Sequence, residues 1–118
     1  MYNFGSPRVG NKKFSDFVSS YWPTDNWRIT HNKDIVPHNP SSGILMEYWQ
    51  TCTERWEDKN HVMQMCPNGC EDNNCAAGVD ILFLSIDDHL LYMGMCMGSN
   101  CPNCKVAAAE PLEDTTFL

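Results

Sequence analysis

Two side chains in this sequence have the chemistry of a general base and its supporting acid: His89 and Asp34. Asp34 follows the segment Trp27–Asn32, whose alternating apolar and polar residues predict a strand. In open α/β sheets, reactive groups lie beyond the carboxyl ends of the strands. His89 comes 55 residues later, where a loop could bring it over the same edge. A carboxylate fixes the tautomer of an imidazole and stabilises its protonated form, so two such groups at one edge would be suited to acid–base catalysis.

The elements that must position this pair predict an α/β fold. Tyr2–Phe4 is expected to form a strand that breaks at a Gly-Ser-Pro turn. Asn11 is a suitable N-cap for a helix that ends just after Trp22, because Pro23 follows. A second strand at Trp27–Asn32 would complete a parallel crossover unit within about 30 residues. The helix is expected to pack one apolar stripe into the core, formed by Phe14, Phe17, Val18 and Tyr21.

The second half of the chain is harder to assign. Residues 52–78 are polar and rich in cysteine, and are predicted to form a disulfide-held excursion from the core. Ser85 and Asp88 form a capping box, which predicts a short helix that begins near Ser85, carries His89 at its start and stops at Gly94. We therefore expect one domain over residues 1–94 and a loose tail over 95–118.

Composition limits the function. The net charge is −7 and no basic cluster stands out, which argues against a nucleic-acid partner. No apolar run approaches the roughly 20 residues of a transmembrane helix. Seven cysteines indicate an oxidising compartment, although no signal peptide is present. Their odd number leaves one thiol free or paired outside this sequence, with Cys96 or Cys101 as the expected partner of such an external cysteine.

Three stretches, in order, resemble the second half of a class 3 (fungal-type) lipase, an α/β-hydrolase. "FGSPRVGNKKFSDFV" is similar to the strand–turn–helix segment of that family, "RITHNKDIVPH" to its acid-bearing segment, and "DHLLYMG" to its histidine-bearing segment. "EYW" at Glu47–Trp49 adds a weaker match. The resemblance covers roughly Tyr2 to Gly94 and implies a partial α/β-hydrolase: the C-terminal half of a mostly parallel sheet with flanking helices, plus a cysteine-rich loop.

The resemblance also implies roles. Asp34 would be the acid and His89 the base of a Ser-Asp-His triad that cleaves triacylglycerols or related esters at a lipid–water interface. Cys66 and Cys75 match a loop disulfide of the family. No metal or cofactor is implied, and the full-length protein would be secreted or lumenal.

The nucleophile of such a triad is not found in this sequence. The family places it in a G-x-S-x-G turn, and none of the eight serines has glycines two residues to either side. We expect a missing N-terminal half to supply the serine and the oxyanion hole, and this chain alone to be inactive. One alternative is a catalytically inactive module that binds lipid or a partner chain. Another is a zinc module, since "CPNGC" and "CPNC" have the spacing of zinc knuckles.

Overall fold

The computed structural model describes residues 1–42, 47–98 and 101. Short 3₁₀ turns lie at Val36–His38, Ala76–Gly78 and Ile81–Phe83. The strands and α-helices, in chain order, are β1 (Tyr2–Phe4), β2 (Gly10–Asn11), α1 (Lys12–Tyr21), β3 (Trp27–His31), β4 (Tyr48–Trp49), β5 (Glu54–Glu57), β6 (Met63–Cys66), α2 (Ile86–His89), β7 (Leu91–Tyr92) and β8 (Met95–Cys96).

A four-stranded mixed sheet forms the centre of the structure, in the order β1-β3-β5-β6. The first three strands are parallel and β6 runs antiparallel to β5. The register places Phe4 beside Ile29 and His31 beside Glu57. The carboxyl ends of three parallel strands therefore meet at one edge of the sheet. Two small antiparallel pairs, β2-β4 and β7-β8, lie outside it.

The first crossover forms as the sequence predicts. The Asn11 side chain caps α1 by accepting the Phe14 N–H at 3.0 Å. The helix ends at Tyr21, where the N–H of Trp22 donates to the carbonyl of Val18. β1 and β3 then lie side by side in parallel, as expected for a strand–helix–strand unit.

The prediction that the aromatic stripe of α1 is core is wrong for this structure. Val18 is buried, but Phe14, Phe17 and Tyr21 are 42%, 62% and 66% exposed. The buried side of the helix is centred on Ser15 instead, whose hydroxyl donates to the carbonyl of Gln50. In the part of the chain that the structure describes, α1 buries Ser15 and Val18, and its aromatic side faces outward.

The prediction that residues 52–78 form a cysteine-rich excursion from the core is also wrong in part, because β5 and β6 belong to the central sheet. The sequence does not predict β5 as an interior strand because three of its four residues are charged. Glu54 is 1% exposed, and its carboxylate accepts from Arg28 at 3.0 Å and from the Thr30 hydroxyl at 2.5 Å. A buried carboxylate is tolerated where such partners surround it, and these partners come from a different strand.

Six cysteines form three disulfides: Cys52–Cys70, Cys66–Cys75 and Cys96–Cys101. The structure thus joins Cys66 to Cys75, as the resemblance implies. Cys96 and Cys101 bond to each other and not to an external cysteine, which corrects that expectation. The zinc-knuckle hypothesis loses both cysteines of "CPNGC" and the first of "CPNC" to these bonds; Cys104 lies outside the described residues.

The segment around His89 differs from its prediction. Ser85 is the N-cap of α2, and its hydroxyl accepts the Asp88 N–H at 3.1 Å, as the capping box predicts. The helix ends at His89, not at Gly94, so the histidine occupies its last position. Met93 and Gly94 both have positive φ and join β7 to β8 in a two-residue hairpin. That backbone conformation is typical of two-residue hairpins, and the β7-β8 hairpin takes up residues that the prediction had assigned to the helix.

Among the described residues, no helix has the length and apolar character needed to cross a bilayer.

Candidate active site

Asp34 lies just beyond the carboxyl end of β3, as expected, and is 2% exposed. Its backbone N–H donates to the carbonyl of His31 at 2.8 Å, which forms a tight turn directly after the strand. Its Oδ1 accepts the backbone N–H of Val36 at 2.8 Å. The carboxylate is therefore held in one orientation by its own loop, with Oδ2 directed to other partners.

His89 meets Asp34 across 55 residues of chain. The His89 Nδ1 lies 2.9 Å from the Asp34 Oδ2, while the imidazole remains 32% exposed. A carboxylate only accepts, so Nδ1 carries the proton and Nε2 of the neutral ring holds the lone pair. Within the described residues Nε2 has no hydrogen-bond partner. The arrangement leaves one basic nitrogen available at the surface, backed by a buried carboxylate.

Tyr92 is a third member of this group that the sequence analysis missed. Its hydroxyl donates a hydrogen bond to the same Asp34 Oδ2, and the residue is 1% exposed. Its ring packs edge-to-face on Phe4, with centroids 5.8 Å apart. Burial, and then the neighbouring Asp34 carboxylate, raise the pKa of the Tyr92 phenol far above its usual range. The phenol therefore stays protonated and remains a donor to Asp34.

Gly5 closes the other side of the group. Its φ is +60°, and a β-carbon there would lie 2.7 Å from the Tyr92 hydroxyl oxygen and 2.8 Å from both Asp34 Oδ2 and His89 Nδ1. These separations are shorter than any that real β-carbons show. The Gly-Ser-Pro turn after β1 thus has a role beyond turning the chain: the missing side chain leaves room for the acid, the base and the phenol together.

Three contacts of Asp88 and a β-bridge fix α2 to the end of β3. The carbonyl of Asp88 lies 3.0 Å from the Nδ1 of His31, and the Asp88 carboxylate accepts from the Asn32 side chain at 3.1 Å and the Lys33 N–H at 3.2 Å. Asp34 and Ser85 also form a parallel β-bridge. The segment that carries His89 is therefore anchored to the three residues that precede Asp34.

The loop after Asp34 is supported from behind by polar contacts. The two ring nitrogens of His38 lie 2.9 Å from the carbonyl oxygens of Asp34 and Ala76. Arg8 binds the Glu71 carboxylate through two nitrogens, at 2.7 and 2.9 Å, and donates to the carbonyl of His38. These contacts hold the Val36–His38 turn against the cysteine-rich loop, a structural role for His38.

The described residues offer His89 no nucleophile, because none of their serine hydroxyls is hydrogen-bonded to it. The chemistry that the site supports by itself is the acceptance of a proton at Nε2 and its later return.

Comparison with known proteins finds similarity to lipases in each case. Residues 1–43 match the family model "Lipase (class 3)". A lipase from Rhizomucor miehei is 33% identical over 103 residues, which cover 83% of this chain and 26% of that protein. The "Secreted mono- and diacylglycerol lipase 1" of Fusarium solani is 41% identical over 58 residues, 49% of this chain and 16% of that protein.

A solved structure shares the fold as well. It is a triacylglycerol lipase whose catalytic centre is described as formed by a serine protease triad, and it superposes with a TM-score of 0.72 at 32% identity. The match covers 82% of this chain and 36% of that one. The chain spans about a quarter of the length of the curated Rhizomucor relative.

Proposed function

This chain belongs, over part of its length, to the class 3 (fungal-type) lipases with their α/β-hydrolase fold, and on that premise we propose that Asp34 and His89 are the acid and base of an ester-hydrolysing triad. The observation that carries the proposal is the 2.9 Å contact between His89 Nδ1 and Asp34 Oδ2. It joins a buried carboxylate to a partly exposed imidazole at the carboxyl edge of the parallel strands, where α/β enzymes do their chemistry.

Each residue has a distinct task in the reaction. Asp34 orients the imidazole and stabilises the imidazolium that forms. Nε2 of His89 removes the proton from the attacking serine hydroxyl and later protonates the leaving alcohol. Tyr92 and the Val36 N–H keep the carboxylate in place by donating to its two oxygens. No step in this sequence of proton transfers uses a metal or a cofactor.

The serine and the oxyanion donors come from outside these 118 residues. No serine here lies in G-x-S-x-G, and the relatives are several times longer than the matching part. By itself the chain therefore hydrolyses no ester through the family mechanism. We propose that the intact enzyme acts on acylglycerols or related esters at a lipid–water interface. The names of two relatives, a mono- and diacylglycerol lipase and a triacylglycerol lipase, support this substrate class. A secreted location agrees with three disulfides.

A second function, an inactive module that binds lipid or a partner chain, is favoured by one observation. Ile81, Leu82 and Phe83 are 75%, 82% and 62% exposed, directly before the segment that carries His89. Such an apolar patch is typical of an interaction surface. This function would be supported over the enzymatic one if the isolated chain bound lipid vesicles and a longer protein that contains it showed no esterase activity.

The test is a chimera in which residues 1–98 replace the matching quarter of the Rhizomucor miehei lipase, so that the nucleophile is supplied by that enzyme. We expect tributyrin hydrolysis by the chimera, and a loss on the order of 10⁴-fold in kcat on Asp34→Asn or His89→Gln. Asp16→Asn, an exposed carboxylate on α1, is the matched control and should leave the rate unchanged. Equal activity of the chimera and its Asp34→Asn variant would contradict the proposal.

The isolated chain gives a complementary test with a fluorophosphonate that labels activated serines. No labelling is expected. Labelling of any of its eight serines would show that the chain carries its own nucleophile.

A further inference from the structure

Three side chains with metal-ligand chemistry lie together outside the Asp34–His89 pair. His31 ends β3, Glu57 ends the neighbouring β5, and His61 follows in the loop to β6. One potential ligand atom from each lies within 4.8 Å of the other two. His61 Nδ1 is 2.7 Å from Glu57 Oε1, and the His31 and His61 rings are nearly parallel, with centroids 5.5 Å apart. The register of β3 and β5 pairs His31 with Glu57 and so brings these two residues side by side.

His31 has one ring nitrogen available as a metal ligand. The residue is 3% exposed, and its Nδ1 lies 3.0 Å from the carbonyl oxygen of Asp88. A carbonyl only accepts, so Nδ1 is the protonated nitrogen and Nε2 is the basic one. In the described part of the chain Nε2 has no hydrogen-bond partner. Metal-binding histidines are oriented in this way, with the second nitrogen donating to a backbone carbonyl.

Glu57 contributes a buried negative charge. It is 1% exposed, and its Oε2 accepts the Met93 N–H at 2.8 Å. Among the described residues no lysine or arginine pairs with it, and His61 is its ion-pair partner. A buried carboxylate is costly without a compensating cation. Its Oε1 faces the cluster, so the compensation falls to His61 or to a bound cation.

We propose that His31, Glu57 and His61 bind one divalent transition-metal ion of the Zn²⁺ type. Two imidazoles and a carboxylate form a set that zinc accepts readily, with a fourth position left for water. Ligand atoms bound at ~2.0–2.1 Å in a tetrahedron lie roughly 3.4 Å apart. The widest separation in the cluster, at most 4.8 Å, must therefore shorten by up to about 1.4 Å. The His61 side chain is 44% exposed on a loop, which allows that movement. Zinc binding also displaces the proton that His61 Nδ1 donates to Glu57, and this proton passes to solvent.

This site goes beyond the proposed ester hydrolysis and does not depend on it. It differs from the zinc module considered from the cysteines, because its ligands are histidines and a glutamate. It also touches the segment that carries the base, since His31 holds the Asp88 carbonyl through the nitrogen opposite its metal-binding one.

The experiment is zinc titration of the untagged, oxidised chain by calorimetry, in a Cys104→Ser background that removes the cysteine outside the three disulfides. The variants are His61→Gln, which retains a hydrogen bond to Glu57 but is a poor zinc ligand, and His89→Gln as the matched control. We expect one zinc per chain for the background and for His89→Gln, and affinity at least about 100-fold weaker for His61→Gln, more than the loss of a supporting contact causes. Circular dichroism checks that all three are folded.

Cobalt provides a second readout that a loose surface ion would not give. Co²⁺ in a tetrahedral site of this kind absorbs in the visible range, and this band should be absent in His61→Gln. Failure of the folded background protein to bind zinc, equal binding by His61→Gln, or a loss in His89→Gln as large as in His61→Gln would each overturn the site.

Discussion

Gly5 lies so close to the Tyr92 hydroxyl that there is no room for a side chain between them. A β-carbon on Gly5 would lie 2.7 Å from the Tyr92 hydroxyl oxygen, and the backbone there has φ +60°. The contact between Asp34 and His89 thus depends on a residue that contributes no functional group.

Gly5→Ala is expected to damage the site as well as the fold. The positive φ alone costs of order 1–3 kcal/mol for a residue with a side chain, and the clash must also displace Asp34, Tyr92 or His89. The free energy of unfolding in urea measures the first effect, and the low-field proton resonance of His89 Nδ1 measures the second. Gly94→Ala is the control, because Gly94 has φ +73° but open space around it. It should lower stability yet retain the resonance; loss of the resonance in both variants would contradict this account.

Tyr92 should make the protein lose stability in alkali. Burial and the Asp34 carboxylate raise the pKa of its phenol in the folded state, whereas the unfolded chain releases that proton near pH 10. Above pH 10 the unfolded state therefore binds fewer protons than the folded one, and the free energy of unfolding falls as the pH rises, by about 1 kcal/mol between pH 10 and 11.

Tyr92→Phe is the control for that pH dependence. The variant is less stable at neutral pH by about 1–2 kcal/mol, because an Asp34 oxygen loses a buried donor. Its stability should fall less steeply than that of the parent protein above pH 10. Parallel curves for the two proteins would show that Tyr92 is not the group responsible.

The buried pair Arg28–Glu54 should matter far more than an exposed pair of the same type. Both side chains are almost inaccessible, at 2% and 1%, and their N–O distance is 3.0 Å. Glu54→Gln leaves an uncompensated buried guanidinium and is expected to cost about 3–5 kcal/mol in unfolding free energy. Lys12→Ala, which breaks the exposed Lys12–Asp16 pair, should change it by less than about 0.5 kcal/mol. Similar costs for the two would contradict the burial argument.

The three disulfides predict a thiol count. Since six of the seven cysteines are paired, an alkylating reagent should modify one thiol per oxidised, denatured chain, and mass spectrometry should locate it at Cys104. Seven should react after reduction. Three or more reactive thiols without reduction would contradict the pairing.

The Cys52–Cys70 bond should also contribute to stability. It joins two cysteines 18 positions apart in the sequence. The double substitution Cys52→Ala/Cys70→Ala should therefore lower the free energy of unfolding by about 3 kcal/mol. The shorter Cys96–Cys101 loop provides the comparison, and its removal should cost less.

The parts of this fold that the sequence predicted are those specified by short-range patterns. The N-cap at Asn11, the end of α1 near Trp22 and the cap at Ser85 depend on residues three or four positions apart, and the structure confirms all three. Asp34 was placed at the end of its strand by the same kind of local reasoning. The resemblance to a family supplied its partner His89, which composition and spacing alone would not have identified among four histidines.

The parts that were wrong depend on distant partners. β5 reads as a polar loop because two of its four residues are glutamates, and only the fold brings Arg28, Thr30 and the Met93 N–H to them. The aromatic stripe of α1 has the spacing of a buried face, yet spacing does not reveal how much surface is available to cover it. Tyr92 carries no local signal, since its role follows from a contact across 58 residues.

The anchoring of α2 to the end of β3 has a consequence for assembly. Asp88 is bound to His31, Asn32 and Lys33, and Asp34 comes next in the chain. Asp34 and His89 are therefore attached to one piece of structure, formed by the end of β3 and α2. A chain segment that brings a serine to His89 has only to be aligned with that one piece. The geometry of the assembled site then depends on one interface, because Asp34 and His89 are already aligned with each other.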